Sequence, residues 1–406
     1  NNEGFFAYID REWQHFPNNL FGNARDVVDI VVDPLDPQHI FASVYGTGIV
    51  EGRIKGKSFE YIRTIDPNTD NGALDPTGNG KDLRVYDMES DAEGNIWLSI
   101  TLSSTPLGVI RPDGTVEGFS LGSAANDASL ENILVTSGQQ VWLQRRNNGL
   151  VVVDVSNPSA LQIKVLGVNE GNGNLPSESV LSLAEDRDGE IWIGTNEGLA
   201  VLFSPQNIFE PERSFDATIL VIDADGDGNG DRVLGSQALT DITVDGANKK
   251  WIASSGSGVF YLSEDGRRQL QRFTESNSPL PSSRINKVEV APESGLVYFA
   301  SDKGLAAFQG SATEGVENMT DVFAFPNPVR PDYQGPILIR GLVTNAQVKI
   351  TDVEGNLVYE TVAEGGQAIW DGRNFDNRKV ASGVYLAYIT DDLGRNTDVA
   401  KILIIR

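Results

Sequence analysis

The sequence predicts an all-β chain: a β-propeller of six or seven blades followed by a small immunoglobulin-like β-sandwich. An aromatic-led strand recurs between Phe41 and Tyr298 at intervals of 56, 45, 50, 59 and 47 residues. Each recurrence sits in a strand–turn–strand–turn–strand pattern, with Asp-Gly and Asn-Gly pairs where hairpins need positive φ. Glycine supplies 42 of the 406 residues, and no segment shows a competing helical period. A repeat of about fifty residues with four strands and one large aromatic is the pattern of propeller blades; the rungs of a right-handed β-helix would be shorter.

In chain order, GFFAYIDREWQHF (4–16) resembles the last two strands of a seventh unit and could clasp a closing ring. Six copies follow over about 24–310, with Phe41, Trp97, Trp142, Trp192, Trp251 and Tyr298 in the aromatic slot. The clearest is VLSLAEDRDGEIWIGTNEGLAVLF, where Trp192 leads the second strand and Gly198 opens the third. These aromatics are read as structural: a flat side chain between adjacent sheets costs ~3–5 kcal/mol to truncate. The last copy, after Leu305-Ala306-Ala307-Phe308, has no outer strand of its own. The propeller is therefore assigned to 1–320. In FAFPNPVRPDYQGP four prolines interrupt sheet and helix alike, and short alternating segments then fill 321–406, the sandwich.

Charge narrows the partners. The chain carries 57 acidic and 32 basic side chains, net −25, which argues against gripping nucleic-acid phosphates and against adsorption to anionic membranes. The last 86 residues hold 9 basic and 11 acidic side chains, so net −23 belongs to the first 320. With no cysteine there are no disulfides, thiolate zinc sites or cysteine nucleophiles. No apolar run is long enough to span a bilayer, so no transmembrane segment is expected. The Asn1-Asn2-Glu3-Gly4 start has no leader pattern and fits a soluble chain or a processed or truncated piece.

The densest constellation is DADGDGNGDRVL. Asp223, Asp225, Asp227, Asn229 and Asp231 place oxygen donors at positions 1, 3, 5, 7 and 9 of a calcium loop, with Gly228 at the sharp sixth position. Carboxylates packed so closely repel one another unless a cation intervenes. The twelfth position is Leu234 rather than glutamate, and no EF-hand helices flank the loop. Calcium in a structural role and an unliganded acidic insertion between blades both fit. No organic cofactor is expected: GNGN at 171–174 lacks the strand–helix setting of a phosphate loop.

Catalytic chemistry is thinly supplied. His15 and His39 are the only histidines, and no G-x-S-x-G occurs. Arg145–Arg146 and Arg267–Arg268 are the only adjacent arginine pairs and the first candidates for contacting an anionic ligand. Tyr45 and Tyr86 are weaker candidates for stacking on a sugar or a protein partner.

EDRDGEIWIGTNEGLAVL resembles the regulator-propeller repeat in the sensor domains of Bacteroidetes hybrid two-component systems. FPNPVRPD, VKITDVEGNLVYE, ASGVYLAYI and the closing AKILIIR resemble the sandwich domain of type IX secretion cargo and components. The combination, especially FAFPNPVRPDYQGPILIRG with GGQAIWDGRN, is similar to the second half of the propeller-containing component of the type IX attachment complex. The resemblance implies a non-enzymatic protein at the cell surface, on the outer membrane or in the periplasm of a Gram-negative bacterium. It further implies partners among the outer-membrane type IX components, an anionic lipopolysaccharide or other glycan as a possible ligand, and a second propeller upstream. The alternative is an extracellular propeller that senses polysaccharide fragments for a hybrid two-component system.

Overall fold

The computed structural model describes residues 4–9, 12–21, 26–78, 80–222, 230–391 and 393–406. Every extended element in it is a strand, and the helical pieces are single 3-10 turns. The chain divides into two compact units, Asn1–Leu239 and Thr240–Arg406.

The first unit opens with a hairpin, Phe5–Ile9 with Glu12–Phe16. Four antiparallel four-stranded sheets follow, each a simple meander. The first sheet is Val27–Asp33, Asp36–Val44, Gly48–Lys55 and Ser58–Ile65. The second is Val85–Ser90, Ile96–Ile100, Leu107–Ile110 and Val116–Phe119. The third is Leu130–Val135, Gln140–Arg145, Leu150–Asp154 and Gln162–Leu166. The fourth is Val180–Glu185, Ile191–Thr195, Gly198–Leu202 and the short Thr218–Ile219. Consecutive sheets bury their faces against each other. Phe41 packs with the first and second sheets, Trp97 with the second and third, and Trp142 with the third and fourth.

In the second unit a fifth sheet, Leu239–Val244, Lys250–Ser254, Val259–Leu262 and Gln269–Phe273, packs on a sixth of only three strands. Those three are Ile285–Ala291, Leu296–Ser301 and Gly304–Gln309. Trp251 fills the space between these sheets, 5.9 Å from Phe299. The C-terminal residues form two sheets around one core. One joins Phe323–Phe325, Ile337–Arg340 and Gln367–Trp370, and the other Leu357–Val362, Gln347–Thr351, Gly383–Thr390 and Thr397–Ile404. The residues on either side of 320/321 lie in one compact unit. Glu364 shows why: its carboxylate takes Lys249 at 2.7 Å and the Ser311 hydroxyl, while Gly366 N–H reaches Thr313 O at 2.9 Å.

Two devices repeat. The first is a turn closed by an aspartate six residues before the tryptophan. Asp91 Oδ1 accepts the N–H groups of Glu93 and Asn95, and its Oδ2 accepts the Trp97 indole at 2.9 Å. Asp186 and Asp245 do the same for Trp192 and Trp251. In the third sheet Gln140 replaces the aspartate as partner of Trp142, at 3.3 Å. Buried indole N–H groups require such acceptors.

The second device couples first strands. Five of them carry a register shift near their start, as between Val85 and Asp87. From first strands a carboxylate reaches a backbone N–H of the next sheet: Asp29 to Met88 at 3.0 Å, Asp87 to Ile133 at 2.9 Å and Asp241 to Val288 at 2.8 Å. Part of the excess acidity therefore serves as sheet-to-sheet glue, because a carboxylate is a strong acceptor for amides on the open edge of a first strand, which stands at the end of its sheet.

Candidate functional site

The sequence candidates separate on the structure. Trp97, Trp142, Trp192, Trp251 and Phe41 are all buried. Tyr298 is half-buried; because Phe299 beside it faces Trp251, the pleat turns Tyr298 to the opposite face of its sheet. Of the calcium-loop residues, Asp223, Asp225, Asp227 and Asn229 lie outside the described residues. Asp231 is described: it is exposed and pairs with Ile222 in a two-stranded ladder at the base of the loop. Among the described residues no group of three or more His, Cys, Asp or Glu stands ready to hold a metal ion.

His39 bridges two carboxylates, Nδ1 to Asp33 at 2.9 Å and Nε2 to Glu51 at 3.0 Å, and Arg63 binds the other oxygen of Glu51 at 2.6 Å. His15 stacks on Phe6 with ring centres 4.6 Å apart.

The two arginine pairs occupy different kinds of turn. Arg145 and Arg146 lie at a second-to-third-strand turn, Arg267 and Arg268 at a third-to-fourth-strand turn. Such turns stand at opposite ends of their own sheets. Arg145 is spent on loop carbonyls, Asn148 O at 2.6 Å and Ala124 O at 3.2 Å. Arg267 and Arg268 flank Asp265, whose carboxyl is held below the usual range first by the Ser263 hydroxyl and then by the Arg267 amide and both guanidinium charges.

Around Arg146 the structure gathers groups from two sheets. Arg146 is ion-paired with Glu131, and its charge acts on the neighbouring Tyr86 phenol. Burial and the Glu131 charge push the Tyr86 phenol up, so it stays a neutral donor and acceptor. On the same end of the sheets Arg84 stands over the Tyr45 ring, 5.3 Å from its centre, and pairs with Asp82 at 3.3 Å. The buried Arg84 Nε and Gln144 Oε1 have no protein partner. This surface offers aromatic faces and guanidinium groups, a combination suited to stacking on and hydrogen-bonding a glycan or a peptide. Sequence reasoning singled out Tyr45, Tyr86 and Arg146 separately. It missed Arg84 and Glu131, which no local motif marks.

Comparison with known proteins gives this surface a setting. The two-component regulator propeller profile matches residues 174–197, and the LVIVD repeat profile matches 135–166. No curated protein matches the sequence. Among solved structures, a type IX secretion protein of Porphyromonas gingivalis aligns with 97% of this chain at 26% identity and a TM-score of 0.66. The chain resembles PorZ. PorZ is described as an essential bacterial surface component of that organism's type IX secretion system, and the chain spans 54% of its length. Looser likeness extends to the extracellular domains of two regulatory proteins of B. thetaiotaomicron, both at 14% identity. The one-component system gives a TM-score of 0.41, covering 97% of this chain and 59% of that one. The hybrid two-component system gives 0.40, covering 94% and 55%.

Proposed function

We propose that this chain is a non-enzymatic scaffold and recognition component of an outer-membrane type IX secretion attachment machinery, acting at the cell surface. The observation that carries the reading is the PorZ likeness across 97% of the chain, through both the repeated sheets and the C-terminal sheets. In this reading 1–320 close into a propeller of six or seven blades and 321–406 form an immunoglobulin-like sandwich. A rigid array of sheets presents many loops at one end, which suits binding partner proteins. The surface around Tyr86 and Arg146 is where a glycan such as anionic lipopolysaccharide would dock, the local arginines offsetting the surrounding negative charge. The calcium-loop pattern at 223–231 supports a structural ion there.

The test is affinity purification of the tagged protein from outer membranes of its native host, with deletion of the gene in parallel. Recovery of type IX outer-membrane components, together with loss of surface-attached cargo on deletion, supports the reading. The regulator-propeller match at 174–197 favours a second one, sensing of polysaccharide fragments. An unchanged surface proteome with a lost transcriptional response to polysaccharide would overturn the first reading and establish the second.

A further inference from the structure

In the first, third and fifth sheets the third strand opens on a glycine for a specific reason, which Gly4 shares at the opening hairpin. A β-carbon on Gly4, Gly48, Gly149 or Gly258 would stand 2.0, 2.1, 2.1 or 1.9 Å from the carbonyl oxygen of Phe16, Ile65, Leu166 or Phe273. The carbonyls of Ile65, Leu166 and Phe273 each end the neighbouring fourth strand and that of Phe16 ends the opening hairpin, and each of those residues is large, apolar and buried. The glycine makes room for the fourth strand.

Gly304 opens the third strand of the sixth sheet in the same way, with φ 138°, yet nothing lies within 4 Å of its β-carbon position. Among the described residues no strand pairs with the outer edge of Gly304–Gln309. The strand is exposed at Leu305, Ala307 and Gln309, whereas Val259–Leu262, its counterpart in the fifth sheet, is wholly buried. Beside it an apolar groove of about 420 Å³ runs between the fifth and sixth sheets, lined by Phe273, Leu280, Phe299, Ala306 and Phe308.

We propose that a protein partner supplies the missing fourth strand. An extended segment pairs antiparallel with Gly304–Gln309, its final carbonyl over Gly304. The third sheet shows the chemistry required. There Leu166 pairs with Leu150, Val165 with Val151 and Ile163 with Val153. Leu166 packs toward the next sheet, while Ile163 and Val165 face the preceding one. Transferred to the sixth sheet, the last residue of the incoming segment covers Leu305. The residues one and three positions earlier enter the groove over Ala306 and Phe308. The occupant is therefore an extended peptide in which apolar residues hold the last, second-last and fourth-last positions. Main-chain pairing supplies affinity and the groove supplies selectivity, as in other strand additions to an open sheet edge. This inference stands on strand geometry and does not depend on the secretion reading.

The probe is a labelled peptide of residues 160–169 of this chain, titrated into the full chain by fluorescence anisotropy, with amide hydrogen exchange read over 304–309. Binding is expected, with exchange slowed about tenfold or more at saturation. Val165→Asp in the peptide, or Ala306→Phe in the protein, should weaken binding at least about tenfold. The Ala306→Phe protein should keep the parent's melting temperature, separating a filled groove from a failed fold. Absence of binding overturns the proposal. So does protection, before peptide is added, of the amides of 304–309 that face away from Leu296–Ser301: in a monomer it would show the edge filled from within the chain, and in a concentration-dependent dimer by a second copy.

Discussion

Asp186 and Trp192 form one joint: Asp186 Oδ2 accepts the indole N–H at 2.9 Å, while Oδ1 accepts the N–H groups of Asp188 and Glu190, each at 3.0 Å. A single buried carboxylate thus closes a hairpin and anchors the side chain that fills the gap between sheets. Asp186→Ala strands three donors and should lower stability by about 3 kcal/mol. Trp192→Phe removes one donor together with packing area. Chemical denaturation of both single variants and the double variant should give a coupling of about 1 kcal/mol. Additive effects would refute the joint.

Asp245 carries a heavier load. It takes the Trp251 indole at 3.2 Å and the Tyr261 hydroxyl at 2.9 Å, and the two rings stack with centres 4.0 Å apart. Burial first, then the Asp245 charge, pushes the Tyr261 phenol far above its ordinary range. Tyr261→Phe should cost about 1–2 kcal/mol through the lost hydrogen bond. It should leave the alkaline absorbance titration of the folded protein unchanged. A tyrosine that titrates in the parent below the unfolding pH and vanishes in the variant would contradict this placement.

Glu364 ties the C-terminal sheets to the fifth and sixth. Burial alone would raise its pKa, but the hydrogen bonds from Lys249 and Ser311, with the Lys249 charge, outweigh it and hold the carboxyl below the usual glutamate range. The folded state then binds this proton less readily than the unfolded state. The contribution to stability is present above the unfolded pKa and lost as pH falls through the folded one. Melting temperatures of the parent and Glu364→Gln should differ near neutrality and converge under acid conditions. A gap that persists or widens on acidification would be the opposite result.

Glycine substitutions should follow what each site faces. At Gly258 a β-carbon would sit 1.9 Å from Phe273 O at φ 82°, so Gly258→Ala should cost at least about 3 kcal/mol. Gly56 has φ 60° with nothing within 4 Å, and Gly56→Ala should cost about 1 kcal/mol. Equal losses in thermal unfolding would remove the close-approach explanation.

If the loop at 223–231 takes calcium, adding calcium should raise the melting temperature of the parent, and Asp225→Ala should abolish the rise. Calcium titration with no shift in the parent would leave the acidic insertion unliganded.

Much of this was legible in one dimension. The period of the aromatics marked the sheets, and the lack of an outer strand after Phe308 was visible in the residues themselves. The six-residue step from Asp91 to Trp97, Asp186 to Trp192 and Asp245 to Trp251 was also on view, yet a turn aspartate has so many uses that its indole partner is invisible without coordinates. The surface at Arg146 was harder still. Tyr86, Glu131 and Arg146 come from two sheets and meet because strand starts and strand ends are stacked at one end.

By itself the sequence determined the period, the strand content, the packing role of the tryptophans and the location of the excess charge. These depend on local alternation, turn chemistry and composition, all of which act over a few residues. Only the tertiary structure decided which carboxylates serve as glue, how Glu364 joins distant turns and that Gly304 faces empty space. Those properties depend on what approaches a residue from elsewhere in the chain, and the spacing of a repeat does not specify the neighbour.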